Sequence, residues 1–174
     1  MLKLSSIFMV IAANLGKWFF YTWRLKRTLA HTSTPLNDPT LGGLVARLAK
    51  VLDLPHVPVH VYEIEPVNGL ASPDGRVFIT RGFLRRYQAG EVTAEEMISV
   101  IAHELGHVAL GHARRRMLDF AGQNVMRMVL VTVLGRFIPF VGAYIAQFLV
   151  SMVAARLSRQ DEYEADAYAA ALMP

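Results

Sequence analysis

Hydrophobic and polar positions divide the chain into stretches of different period. Residues 4 to 23, LSSIFMVIAANLGKWFFYTW, carry one charge, Lys17, and close on the aromatic cluster Trp18, Phe19, Phe20, Tyr21 and Trp23. A helix of that length just crosses a bilayer core of roughly 30 Å, and its aromatic end suits the interface. Residues 1–30 are therefore expected to form an N-terminal membrane anchor. A cleaved signal peptide is the rival, but no small-x-small cleavage site precedes a polar start. HTSTPLNDPT, 31 to 40, is rich in turn formers and reads as a linker. LGGLVARLAKVLDL then has the pattern of an amphipathic helix ended by Pro55. VPVHVYEI, 57 to 64, alternates with period two, and VFIT, 77 to 80, is a second strand after the turn signal SPDG. GFLRRY reads as a short helix.

Thr93 and Glu96 form a capping box, so a helix starts near residue 94. Met97, Val100, Ile101, Leu105 and Val108 follow its period. Arg114 to Arg116 are expected to close it, where the helix dipole favours cations. From 125 to 157 the chain is apolar, with Arg127, Arg136 and Arg156 as its charges and breakers at Gly135, Pro139 and Gly142. That pattern predicts an apolar hairpin of two legs, each too short to span, dipping into one leaflet or packing on a partner chain. SRQDEYEADAYAAALMP reads as a last helix with Ser158 as its N-cap.

Composition changes this picture in two ways. A chain of 174 residues suffices for one sizeable core, yet it is 53% hydrophobic and only 18% charged, so apolar surface is expected to meet lipid or a partner. Cysteine is absent, which excludes disulfides, thiolate nucleophiles and cysteine zinc sites. The net charge of +4 gathers at Arg24, Lys26 and Arg27, at Arg81, Arg85 and Arg86, and at Arg114 to Arg116. These clusters lack the interleaved aromatics or recognisable module of a nucleic-acid binder, so no nucleic-acid partner is expected. Basic residues beside apolar runs match phospholipid headgroups instead. Lys3 on one side of the first apolar run against Arg24, Lys26 and Arg27 on the other places residue 24 onward in the cytoplasm.

The chemistry lies in AHELGHVALGH, 102 to 112. On a helix, residues four apart are separated by about 40° and about 6 Å of rise, so His103 and His107 share a face. Two imidazoles so placed can hold one zinc ion, with Glu104 beside them to take a proton from metal-activated water. A buried helix whose histidines merely bond to backbone is the plain alternative, and a costly one. His112 is nine residues past His103, about 180° around a continuous helix, so it is expected to bond to backbone or a carboxylate rather than share the ion. The third ligand must come from elsewhere. EYEAD supplies a candidate: Glu162 could ligate while Asp166, four residues on, reaches a ligand histidine's free nitrogen. Glu164 points to the other side and is expected to be solvated.

HELGHVALGH followed by SRQDEYEADAYA resembles the HtpX and CAAX prenyl protease family of membrane zinc metallopeptidases, gluzincins with HExxH and a distant ExxxD. VNGLASPDGRVFITRGFL, 67 to 84, is similar to that family's Asn-x-x-Ala segment before its active-site edge strand, so the resemblance covers about 67 to 172. It implies zinc, one ion per chain, at His103, His107 and Glu162, with Glu104 as general base and Asp166 behind a ligand. It also gives Asn68 and Ala71 a substrate-facing role, beside the ordinary turn chemistry of Asn68-Gly69. Members continue past the ExxxD helix, whereas this chain stops at Pro174, which leaves the oxyanion-stabilising side chain unassigned.

The expected fold is α+β and mostly helical: a zincin-like metallopeptidase domain over 41–174, with a small edge-strand sheet and apolar membrane-associated helices. The expected function is hydrolysis of peptide bonds in a polypeptide substrate by a zinc endopeptidase at membrane lipid, in a bacterial inner membrane with the catalytic domain in the cytoplasm. The resemblance suggests turnover of membrane or misfolded proteins. The alternative is a non-catalytic membrane adaptor or chaperone-like protein with a structural zinc site, against which Glu104 argues. An intramembrane protease is disfavoured by Glu91, Thr93, Glu95 and Glu96, which start the helix in water.

Overall fold

The computed structural model describes residues 4–72, 74–139 and 141–173. The chain is mostly helical with one small sheet, and it divides into two compact units. One comprises Met1–Arg24 and Ala113–Asp161, the other Leu25–His112 and Glu162–Pro174.

The second unit carries the sheet. Strands β1 (Ser33–Pro35), β2 (Val59–Tyr62), β3 (Gly69–Ala71) and β4 (Val77–Thr80) lie in the order β1-β2-β4-β3. β2 and β4 pair in parallel, with Val59 opposite Val77 and Val61 opposite Ile79. β3 turns back antiparallel on β4, the hairpin that SPDG announced, and leaves its other edge at the border of the sheet. β1 lies inside the stretch expected to be a linker, because three residues ending in proline carry too short a pattern to read as a strand.

Helix α2 (Pro39–Val51) follows β1; Asp38 caps it by accepting from the Leu41 amide, and Pro39 takes a first-turn place where no donor is needed. Thr80 ends β4 and caps α3 (Arg81–Gln88), its hydroxyl accepting from the amides of Phe83 and Asn68. One buried oxygen thereby ties the start of β3 to the start of α3. Helix α4 (Ala94–Ala109) begins with the full capping box of Thr93 and Glu96. Val61, Ile79, Leu41, Phe83, Met97 and Ile101 meet in the core between sheet and helices. Residues of opposite parity on β2 and β4 bring His60 beside Phe78, ring centroids 5.5 Å apart. Burial, then the nearby Arg76 charge, hold the His60 imidazole below its ordinary pKa, and its Nδ1 is buried without a partner among the described residues.

α4 does not run on to the arginines. It stops at Ala109, and Gly111, with φ of 67°, turns the chain so that α5 (His112–Phe137) starts anew. A left-handed glycine after the last helical turn is a common helix stop, and here it leaves Arg114 to Arg116 near the start of α5 rather than in the last turn of α4.

In the first unit, Arg115 and Arg116 both bond to the buried Asp161, at 3.3 and 3.1 Å. α1 (Leu4–Thr32) contains the first apolar run and continues well beyond it. The chain breaks at 138–141, as the glycine and proline positions predict, but the flanking helices are long: 26 residues in α5 and 31 in α6 (Gly142–Leu172). Ser158 is interior to α6 and caps nothing. Gly142 is required at this turn, since a Cβ there would lie 2.7 Å from the Leu134 carbonyl carbon. A string of polar side chains links the helices: Asn124 donates to Asn14, and Arg127 donates to Asn124 and Gln147. Outside that string, large apolar side chains are exposed, among them Phe19, Phe120, Phe137, Tyr144 and Phe148. Among the described residues, α5 is long and apolar enough, by length and composition, to cross a membrane.

Candidate metal centre

α4 and α6 cross closely in the second unit because α4 offers a glycine. A Cβ at Gly106 would stand 3.2 Å from the backbone of Ala165 and 3.3 Å from Tyr168 Cβ, so the two helices approach nearer than larger residues permit. This crossing brings the acidic turn of α6 against the histidine face of α4.

Three ligand atoms converge there. His103 Nε2 and His107 Nε2 are 3.2 Å apart, and Glu162 Oε2 lies 3.4 and 3.6 Å from them. Two atoms bound to a tetrahedral zinc ion at about 2.0–2.1 Å are roughly 3.3–3.4 Å from each other. The triangle therefore has the size of three corners of a zinc tetrahedron. Two nitrogens and one carboxylate also match the donor set of a catalytic zinc, which keeps one corner open.

Both rings are also held from behind. His103 Nδ1 is 2.8 Å from Asp166 Oδ1, a carboxylate–histidine arrangement that turns Nε2 toward the candidate metal position. His107 Nδ1 is 2.7 Å from Nδ1 of His112, whose Nε2 is 3.3 Å from Glu164 Oε2. His112 does reach a carboxylate, but the helical projection that placed it opposite His103 fails, because α4 stops at Ala109 and Gly111 turns the chain. Glu164 differs from expectation too: it meets His112 instead of pointing into solvent. The glycine of ALGH was the available signal for both, being a helix stop just before the histidine.

Glu104 sits between the histidines in sequence and faces β3. A Cβ at Gly69 would lie 2.8 Å from Val100 Cγ1 and 3.3 Å from Glu104 Cγ, so the edge strand runs directly against this part of α4. Asn68 is exposed just before β3, with its backbone tied to Thr80, and Ala71 closes the strand. Gly69 and Gly106 carry no chemistry of their own and were missed as site residues; contact across space alone reveals them.

The sequence from 35 to 174 matches the pattern of Peptidase family M48. The chain belongs to that family. Metalloprotease LoiP of Escherichia coli (strain K12) is 31% identical to this M48 chain over 62% of it and 41% of LoiP. Protease HtpX of Cellvibrio japonicus is 28% identical over 95% of the chain and 65% of its own length. Protease HtpX homolog 1 of Streptomyces coelicolor is 43% identical over 41% of the chain and 23% of that protein. The M48 chain thus spans less than two thirds of each of these relatives.

Proposed function

We propose that this M48 chain is the catalytic part of a membrane-associated zinc endopeptidase. The triangle of His103, His107 and Glu162 carries the reading, because its spacing and donor types fit one zinc ion with a corner left open. Zinc held there supplies a Lewis acid that polarises a carbonyl and lowers the pKa of water. Glu104 is the general base: it takes the proton of the attacking water and passes it to the leaving amine. Asp166 accepts from His103 Nδ1–H and keeps the opposite nitrogen turned to the ligand position. An extended polypeptide adds to the open edge of β3, with Asn68 and Ala71 flanking it, and is thereby laid along the α4 face that bears Glu104.

The exposed apolar side chains of the first unit, together with α5, support attachment to lipid. Arg24, Lys26 and Arg27, beyond the first apolar run, favour the cytoplasmic side for the catalytic residues.

Glu104→Gln tests the catalytic assignment. Hydrolysis of an unfolded polypeptide should vanish while one zinc per chain is retained, since a base is lost and no ligand is. Wild-type activity in this variant would overturn the assignment.

A further inference from the structure

The two ligand histidines are backed differently, and the second backing has a consequence for proton placement. His112 is buried, 1% exposed, and the turn at Gly111 brings its Nδ1 to 2.7 Å from His107 Nδ1. Two ring nitrogens at that distance need one N–H and one lone pair. His107 directs Nε2 to His103 and Glu162, so as a metal ligand it is neutral there and carries its proton on Nδ1. His112 Nδ1 must then be the acceptor, which puts the His112 proton on Nε2. That proton points to Glu164 Oε2, 3.3 Å away. Within this string the His107 tautomer sets that of His112, whose Nε2–H faces the Glu164 carboxylate.

We propose that His112, backed by Glu164, is a positioning residue for the metal centre: it accepts the His107 Nδ1–H, fixing that ring's tautomer and rotation so that Nε2 ligates. The arrangement parallels Asp166 behind His103, with an imidazole inserted between ligand and carboxylate. It rests on the zinc reading of His103, His107 and Glu162.

Zinc affinity of the full chain, measured by competition with a chelator, tests it alongside nitrogen NMR of the histidine rings. His112→Leu fills the buried space without an acceptor and should lose roughly 10- to 100-fold in affinity, the usual effect of losing a partner behind a metal ligand. His112→Asn puts an amide oxygen close to the Nδ1 position and should recover most of that loss. Glu164→Ala should fall between wild type and His112→Leu. In the zinc-loaded wild type, His112 should carry its proton on Nε2 and His107 on Nδ1. Wild-type affinity in His112→Leu, equal losses in the Leu and Asn variants, or a His112 proton on Nδ1 would each overturn the proposal. A wild-type chain that binds no zinc would overturn the metal reading itself, whereas tight wild-type binding unchanged in His112→Leu would overturn only the role of His112.

Discussion

Gly69 has no side chain because Val100 and Glu104 occupy the space one would fill. Gly69→Val should therefore push β3 and Glu104, the proposed base, apart while leaving the three proposed ligands in place. Catalysis should fall by about 10²-fold, the cost of an ångström-scale misplacement near the chemistry, with zinc content unchanged. Loss of zinc together with activity would show that β3 supports the ligands and not the base alone. At the ligands, Glu162→Ala should lower zinc affinity more than Asp166→Asn, for which about 10- to 100-fold is expected; chelator competition on both variants checks the order. His60 provides a pH test. Its folded pKa lies below the ordinary 6.5, so the unfolded chain takes up a proton first as the pH falls. Stability from this residue is therefore complete above about 6.5 and declines below it until the folded imidazole is protonated too. His60→Phe should lose less stability than wild type between pH 7.5 and pH 5 in urea titrations, and parallel losses would refute it.

Elements announced by short-range signals were legible in the sequence. VFIT is β4 to the residue, Thr93 and Glu96 start α4, and the hairpin before β4 is present. Elements decided by a single backbone conformation or by pairing across space were not. The apolar period of α4 continues into ALGH, and only the left-handed Gly111 separates it from α5. Read as one continuous helix, the stretch projects His112 to the wrong place and the arginines to the wrong helix end. The same limit applies to the site: HExxH and the Glu162–Asp166 spacing can be read along one helix each, whereas Glu164 meeting His112 depends on where two helices cross. That crossing can be tested directly. Gly106→Leu places a side chain where Ala165 and Tyr168 already stand, and overpacking of this kind costs about 1–3 kcal/mol. The melting temperature should drop and zinc affinity should fall, although no ligand is changed. A variant that binds zinc as wild type does would mean the helices need not touch at Gly106.

Across the whole molecule, the chain leaves the histidine helix at Gly111 and must bring Glu162 back to it. Any membrane crossing between these points has to be undone. The short legs expected from the breakers are longer in the structure: α5 has 26 residues, about 39 Å, and α6 has residues 142–161 before the acidic turn that meets the histidines, about 30 Å, so length does not confine the hairpin to one leaflet. On the proposed lipid attachment, the bonds that Arg127 donates to Asn124 and Gln147 would supply its guanidinium with polar partners within the helix bundle. A cysteine introduced at Pro139 should then be labelled by an impermeant thiol reagent from the side opposite the active site; labelling only from the active-site side would restore the one-leaflet hairpin. The C-terminal part of α6 has a different significance. Glu162, Glu164 and Asp166, three groups that reach the histidines, lie within five consecutive residues of it. An ion held there, as proposed, would act as a clasp on this segment, adding its binding free energy to whatever packing holds the helix down. Stripping the metal should loosen residues 162–172 selectively, visible as faster amide hydrogen exchange there than in β4, so metal occupancy can be read from the mobility of the last three turns of α6.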